Sequence, residues 1–122
     1  MHKTNVAQSA PDMSAGQCQL SKAKKNLPIK NADLAAIQEE LDTINRALIS
    51  VLRGGRQDAD ITQAQMGHSL GISEDVVSNI EALKRPAFFA HSIVWARLSG
   101  MDCEEFFESF LFWYRKMRAR KS

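Results

Sequence analysis

The segment from residue 62 to residue 82 carries the start and stop signals of two short helices that only a few residues separate. Thr62 and Gln65 form the T-x-x-Q pattern of a capping box, in which each side chain bonds to the backbone of the other residue. Gly71 suits the left-handed residue that ends a helix, and Ser73 is a favourable N-cap for the next one. The predicted helices run from the capping box to about residue 70 and from residue 74 to about residue 82. Because so short a break restricts how the two helices cross, the segment has to fold as one unit.

Apolar residues spaced alternately by three and four predict a longer helix before this unit. They are Leu34, Ile37, Leu41, Ile44, Leu48 and Val51. Asn31 or Asp33 is the expected N-cap, whereas Gly54 and Gly55 weaken the end, so that residues 57–60 are predicted as a loop. The same spacing fits a coiled-coil heptad, but three heptads are short, and packing within the domain is favoured.

Two more helices are predicted after Pro86. The fourth contains Ile93, Val94 and Leu98. The fifth opens with Asp102 and Glu105, another cap followed by an acid three residues later, and is predicted to run to about Met117. No segment alternates with a period of two residues, so the fold class is all-α with an extended first helix and a long C-terminal helix.

The length of 122 residues allows one domain with its own hydrophobic core. Residues 1–31 hold five Lys against one Asp and show no apolar period, so we expect a disordered basic tail there. Residues 32–118 are expected to form the folded domain, and residues 119–122 a second, short basic tail. Positive charge at the two ends can attract phosphate backbones, although a charge run is more often a solvated tail.

Several other protein classes lack support. No stretch approaches the roughly 18 apolar residues of a membrane span, and no apolar signal block precedes the first helix, so we expect a cytoplasmic protein. Cys18 lies in the polar tail and Cys103 on a helix, which suits reduced thiols. His2, His68 and His91 have no neighbours at metal-ligand spacing. No phosphate loop or nucleophile set is present, so we expect no enzyme activity, no metal and no cofactor.

The middle of the chain carries a series of motifs at specific spacing. T-Q begins at residue 62, L-G-I-S at residue 70 and V-S-x-I-E at residue 77; L-R-x-x-R precedes them, and K-R-P and residues 95–106 follow. Over about residues 44–108, this series resembles the lambda-repressor-like helix-turn-helix of the Xre/Cro family of transcriptional regulators. The resemblance implies a five-helix DNA-binding domain and a homodimer that represses transcription at a palindromic operator.

In this family the second helix of the pair enters the major groove, and residues near its start reach base edges. The residues predicted for base readout are Glu74, Asp75, Ser78 and Asn79. Asn79 can pair with adenine through two hydrogen bonds, Ser78 can donate or accept, and a carboxylate can accept from the cytosine amino group; each good contact contributes ~1 to 3 kcal/mol of discrimination. For the two acids, the alternative is that they only stabilise the positive end of the helix.

Other positions of the pair have supporting roles. The predicted inward residues are Met66, Leu70, Ile72, Val77 and Ile80, and Gly67 is expected to let the helices approach closely. The residues predicted for phosphate contacts are Thr62, Gln63, Lys84, Arg85 and Arg53, with capping and solvation as the alternative. The resemblance also implies a partly buried ion pair between Arg56 and Glu81. Asp60 and Leu83 stand where the family usually has glycine, so we expect altered loops there.

The fifth helix carries a wide aromatic stripe, more apolar than a five-helix domain of this kind needs for its own core. The residues predicted to form a dimer interface are Phe106, Phe107, Phe110, Trp113, Tyr114 and Met117. A two-fold dimer would place two recognition helices ~34 Å apart, one turn of DNA. The alternative is that the stripe folds back onto the long first helix of the same subunit. The basic residues after it are predicted to be a solvated tail.

The sequence therefore predicts a dimeric repressor whose partners are double-stranded DNA and a second copy of the chain. An alternative from another class is a protein-interaction module, an antitoxin or anti-activator, that uses the same fold to bind a second protein partner. The acids of the third helix and the aromatic stripe favour that alternative.

Overall fold

The computed structural model describes residues 33–121, which form five α-helices and contain no β-strand. They are α1 (Leu34–Asp58), α2 (Gln63–Leu70), α3 (Glu74–Glu81), α4 (Phe89–Leu98) and α5 (Cys103–Lys121). The prediction of an all-α chain with long first and last helices is confirmed for this range. The predicted tail at residues 1–31, including Asn31 as a cap, lies outside the described residues.

The chain divides into two units between Ile37 and Gln38. Of the first unit, the structure describes residues 33–37, where the Ile37 amide donates to the Asp33 carbonyl at 3.1 Å. The core, the helix pair and the candidate site described below all lie in the second unit.

The core of the second unit receives buried apolar side chains from all five helices. They are Ala47, Ile49, Val51, Leu52, Met66, Val77, Ile80, Trp95, Ala96 and Phe106. Trp95 is fully buried, and its indole N–H donates to the Leu52 carbonyl of α1 at 2.8 Å. This bond satisfies the one polar atom of the largest core side chain, so α4 is held against α1 by both packing and a directional contact.

Four helices end in the same way, with a residue in the left-handed conformation. The amide of that residue and the amide of the next one each donate to a carbonyl in the last turn of the helix. After α2 the left-handed residue is Gly71, and after α4 it is Gly100. The Ile72 amide donates to the Gly67 carbonyl at 2.9 Å, and the Gly71 amide to the His68 carbonyl at 3.3 Å. This is the Schellman motif, which satisfies the last carbonyls of the helix.

The other two left-handed residues are not glycines. Asp60 follows α1 with a φ of 59°, and Leu83 follows α3 with a φ of 64°. The Lys84 amide donates to the Asn79 carbonyl at 2.9 Å, the same bond pattern as after α2. A left-handed stop is thus present at both positions without glycine, and the leucine side chain makes that conformation costly at residue 83. That the loops depart from the family's path stays a prediction.

Two predicted boundaries need correction. Helix α1 runs through Gly54 and Gly55 to Asp58, where a loop from residue 57 was expected. A Cβ at Gly55 would lie 2.8 Å from the Met101 side chain, so this glycine permits close packing. It does not end the helix. Helix α5 continues to Lys121 instead of ending near Met117, because no Gly or Pro interrupts its last turn. The predicted tail at 119–122 is thus helical as far as it is described.

Candidate nucleic-acid interface

The start of α2 is held by the predicted capping box. The Thr62 hydroxyl accepts from the Gln65 amide at 3.0 Å, and the Gln65 side-chain oxygen accepts from the Thr62 amide at 2.9 Å. The amides of the intervening first turn have no carbonyl to bond within the helix and point out of its end. They are therefore available to an anion, and the cap fixes the direction in which they point.

The turn between α2 and α3 packs directly against Gly67. A Cβ built on Gly67 would lie 2.7 Å from the Ile72 carbonyl oxygen and 3.2 Å from the Ser73 carbonyl carbon. Both atoms belong to the backbone and cannot move aside as a flexible side chain would. Only glycine permits this spacing, so Gly67 sets the distance between the two helices, as the sequence predicted.

Helix α3 has a buried inner face and an exposed polar outer face. Ser73 caps it, accepting from the Val76 amide at 3.2 Å. Val77 and Ile80 are buried in the core. Leu70 and Ile72, which precede the helix, pack against the same core while partly exposed.

The four residues predicted for base readout lie on the outer face. Glu74, Asp75 and Asn79 are exposed, and Ser78 is half-buried. They share one surface because residues three and four apart on a helix are neighbours. Two carboxylates and two neutral hydrogen-bonding groups are therefore presented together to whatever approaches α3.

The C-terminal end of α3 is anchored by a buried carboxylate, Glu81. The Arg56 Nε donates to one Glu81 oxygen at 2.6 Å, and an Arg56 terminal nitrogen donates to the other at 3.0 Å. The remaining Arg56 nitrogen donates to the Ile61 carbonyl at 2.7 Å. The ion pair that the resemblance implied is present, and it ties α1 to α3 with a two-point geometry that resists rotation.

Two more side chains from neighbouring helices reach the same carboxylate. Gln63 on α2 donates its side-chain amide to Glu81 at 3.0 Å, and the Arg53 Nε lies 4.0 Å from the same oxygen. We name the set Arg53, Arg56, Gln63 and Glu81 the Glu81 cluster. It joins α1, α2 and α3, and every polar side-chain atom buried in the described residues has a hydrogen-bond partner.

The cluster changes the roles predicted for phosphate contacts. Gln63 was expected to point its side chain outward, but its amide is turned inward and bonded to Glu81. The physical reason is that a buried carboxylate has more acceptor sites than Arg56 alone fills. Lys84 and Arg85 are exposed beyond the end of α3, and Arg53 keeps 58% of its side chain exposed.

The aromatic stripe of α5 mostly faces the chain itself. Phe106 is buried with 3% exposure, and Phe110 and Trp113 pack partly buried against the core. Tyr114 donates its hydroxyl to Glu40 on α1, and Met117 is half-buried. Because Phe106 is buried, its prediction as an interface residue is wrong. For the partly exposed Phe110, Trp113, Tyr114 and Met117 the dimer interface stays a prediction, and the Tyr114–Glu40 bond favours the alternative that the stripe folds back onto α1.

The aromatic side chains with the most solvent exposure lie outside this inward-facing part of the stripe. Phe107 alone of the predicted interface is exposed, and its ring stacks on Phe89 at the start of α4 with the centroids 6.4 Å apart. Phe88 and Phe112 are also exposed. Sequence reasoning missed Phe88, Phe89 and Phe112. The two adjacent phenylalanines at the start of α4 were the signal that could have marked Phe88 and Phe89.

The described residues contain no group of His, Cys, Asp and Glu side chains arranged to hold a metal ion. None of the helices in the described range combines the length and apolar content needed to cross a membrane. Cys103 is a free, exposed thiol at the start of α5.

Comparison with known protein families, curated proteins and solved structures gave no match.

Proposed function

We propose that this chain is a sequence-specific DNA-binding transcriptional regulator with a lambda-repressor-like helix-turn-helix domain, acting as a dimeric repressor at a palindromic operator. The observation that supports this most is the division of α3 into an anchored inner face and a free polar outer face. Helices α1 and α2 hold α3 through the Glu81 cluster, and its buried inner face packs into the core. A helix held in this way can enter a major groove without losing its orientation.

One detail of the backbone and one side-chain ion pair also favour this fold assignment. The resemblance places glycine at the positions of Asp60 and Leu83, and both residues adopt the left-handed conformation that glycine favours. The Arg56–Glu81 pair implied by the resemblance is also in place.

In the proposed complex, the outer face of α3 reads bases and the surrounding cations contact phosphates. Asn79 pairs with adenine, Ser78 donates or accepts, and a carboxylate of Glu74 or Asp75 accepts from a cytosine amino group. The DNA phosphates are contacted by Lys84, Arg85 and Arg53, and by the free amides at the start of α2. Thr62 acts there mainly as the cap that directs those amides, and the Gln63 side chain stays with Glu81.

The test is selection from a pool of random DNA duplexes, followed by binding measurements on the enriched sequence at several salt concentrations. The native chain is expected to enrich an inverted repeat with half-sites about 10 base pairs apart. Asn79→Ala is expected to weaken binding by ~1 to 3 kcal/mol and to relax one position of each half-site. Gln38→Ala is the matched control, because Gln38 is an exposed amide on α1 bonded only to Asp42 of its own helix.

A second arm separates base readout from phosphate contact. The double variant Lys84→Ala/Arg85→Ala is expected to reduce the salt slope by about 2 without changing the selected sequence. Failure of the native chain to enrich any sequence would overturn the proposal.

The second candidate function is recognition of another protein, as an antitoxin or anti-activator. It is favoured by the two exposed carboxylates at the start of α3, which repel phosphates, and by the exposed Phe88 and Phe89. In that case the random duplex pool yields no preferred sequence. A purified partner would then bind the native chain and lose affinity for Phe89→Ala.

A further inference from the structure

Helix α5 has two stripes with the same spacing on opposite sides. The inner stripe is Phe106, Phe110, Trp113 and Met117, which pack toward the rest of the chain. The outer stripe is Glu104, Glu108, Leu111 and Arg115, which are all exposed. The second stripe is offset from the first by two residues, a rotation of about 200° on an α-helix. None of the four outer residues belongs to the core or to the partly buried apolar side chains packed against it.

The apolar centre of this exposed side of α5 is formed by Leu111 of the outer stripe and by Phe112, the residue that follows it. Leu111 is 39% exposed, and Phe112 beside it is 58% exposed. Phe107 lies one turn before Leu111 and continues the apolar surface to Phe89, on which it stacks. A solvent-facing surface made of aromatic and aliphatic side chains is typical of a protein interface.

Charge is distributed unevenly about this apolar centre. Three Glu residues precede Leu111 on α5, and five Lys or Arg residues follow Phe112. The helix dipole accounts for acids in the first turn and bases in the last turn, but its effect does not extend to mid-helix positions such as Glu108 and Arg115. Within residues 33–121, neither of these two side chains has an ion-pair partner.

This pattern is complementary to itself only when two copies run in opposite directions. With a two-fold axis at the level between Leu111 and Phe112, each residue before the axis faces the one equally far beyond it on the other copy. Glu108 then lies opposite Arg115 of the partner subunit, and Leu111 lies opposite Phe112 of the partner subunit. A parallel arrangement would instead place like charges together along the whole helix.

We propose that two copies of this chain pair antiparallel through the outer face of α5, with Leu111 and Phe112 at the two-fold axis and Glu108 opposite Arg115. The interface is isologous, since the same patch serves both copies. This inference deepens the proposed function and rests on it for the palindromic operator, since it identifies the surface that makes the dimer. It replaces the inner stripe, which sequence reasoning had assigned to that role.

The test is charge reversal, measured by sedimentation of the full chain without DNA. Glu108→Arg and Arg115→Glu each place like charges at two symmetric contacts, and each is expected to raise the dimer dissociation constant roughly tenfold or more. An equimolar mixture of the two variants is expected to regain the native dimer fraction, because one chain carries two cations and the other two anions at the paired positions. The double variant Glu108→Arg/Arg115→Glu is likewise expected to dimerise as the native chain does.

Asp58→Arg is the matched control, since it makes the same charge change at an exposed position at the end of α1 and is expected to leave the dimer intact. A variant that merely misfolds would not recover on mixing. A native chain that stays monomeric, single variants that dimerise as well as the native chain, or a mixture that fails to recover would each overturn the proposed dimer.

Failure of the dimer and failure of the proposed function are distinguishable. A dimer that forms as expected while the duplex pool yields no sequence overturns DNA recognition and leaves the interface. A monomeric native chain that still enriches a single half-site overturns the interface and leaves base readout by α3.

Discussion

Helices α3 and α5 both turn one face to the core and one to solvent, but different contacts hold them. Helix α3 is fixed by directional bonds, since the Glu81 carboxylate receives two bonds from Arg56 and one from Gln63. Helix α5 is held mainly by apolar packing of Phe106 and its neighbours. Hydrogen bonds specify an angle, whereas apolar burial rewards contact area without direction. The orientation of α3 is therefore specified more closely than that of α5.

Removing the Glu81 carboxylate is expected to have the largest effect on the stability of the folded chain. Glu81→Ala leaves the buried Arg56 guanidinium without its anion and the Gln63 amide without its acceptor. We expect the free energy of unfolding to fall by about 3 to 5 kcal/mol, measured by urea denaturation. Glu74→Ala on the exposed face of the same helix is the control, with an expected loss below about 1 kcal/mol.

A second measurement separates loss of charge pairing from loss of volume in this cluster. Arg56→Met/Glu81→Leu removes both charges together and is expected to be less destabilising than Glu81→Ala alone, because no unpaired charge stays buried. If the double variant is the less stable of the two, polar anchoring of α3 is not what the cluster provides.

The apolar attachment of α5 is tested by two adjacent phenylalanines. Phe106 is 3% exposed and Phe107 is 44% exposed, so the same substitution probes the two sides of one helix. Phe106→Ala is expected to cost about 3 to 5 kcal/mol of unfolding free energy. Phe107→Ala is expected to cost roughly 1 kcal/mol or less, because its ring is half in water. Similar losses for the two variants would contradict the assignment of inner and outer faces.

The end of α3 offers a smaller test of backbone geometry. Leu83 has a φ of 64°, which an L side chain adopts at a cost of roughly 1 to 2 kcal/mol. Leu83→Gly and Leu83→Ala both remove the side chain, but only glycine relieves the strain. We expect the glycine variant to be more stable than the alanine variant by about 1 kcal/mol in thermal unfolding, the reverse of their order within a helix. Equal stability of the two would show that the left-handed stop is absent.

The smallest expected effect concerns the hydrogen bond between Tyr114 on α5 and Glu40 on α1. The hydrogen bond from Tyr114 to Glu40, together with burial, raises the pKa of the Tyr114 phenol above its ordinary value of 10.0. Because the pKa is higher in the folded chain, the stabilisation is fully present below pH 10.0 and is lost as the pH rises through the folded value.

Tyr114→Phe should therefore lose this pH dependence. The difference in unfolding free energy between the native chain and the variant is expected to be constant at neutral pH and to shrink in alkaline solution. A difference that stays constant up to the pH at which both chains unfold would contradict a shifted phenol.

Most local elements were predictable from neighbouring residues alone. The capping box of Thr62 and Gln65, the stop at Gly71 and the cap at Ser73 depend on contacts within four residues, which spacing alone encodes. The outward placement of Glu74, Asp75 and Asn79 followed from the helical period together with the apolar Val77 and Ile80. The end of α5 was misjudged because a helix of good helix formers has no local stop.

Contacts between distant residues lay beyond prediction from the spacing of residues. The start and end of helices α2 and α3 were readable from the residues alone, because capping depends on contacts within one helical turn. The inward turn of Gln63 and the inward direction of most of the aromatic stripe of α5 were set by contacts between helices. Gln63 bonds to Glu81, 18 residues away, and Tyr114 bonds to Glu40, 74 residues away. An amphipathic pattern shows that a face will be buried without showing against what.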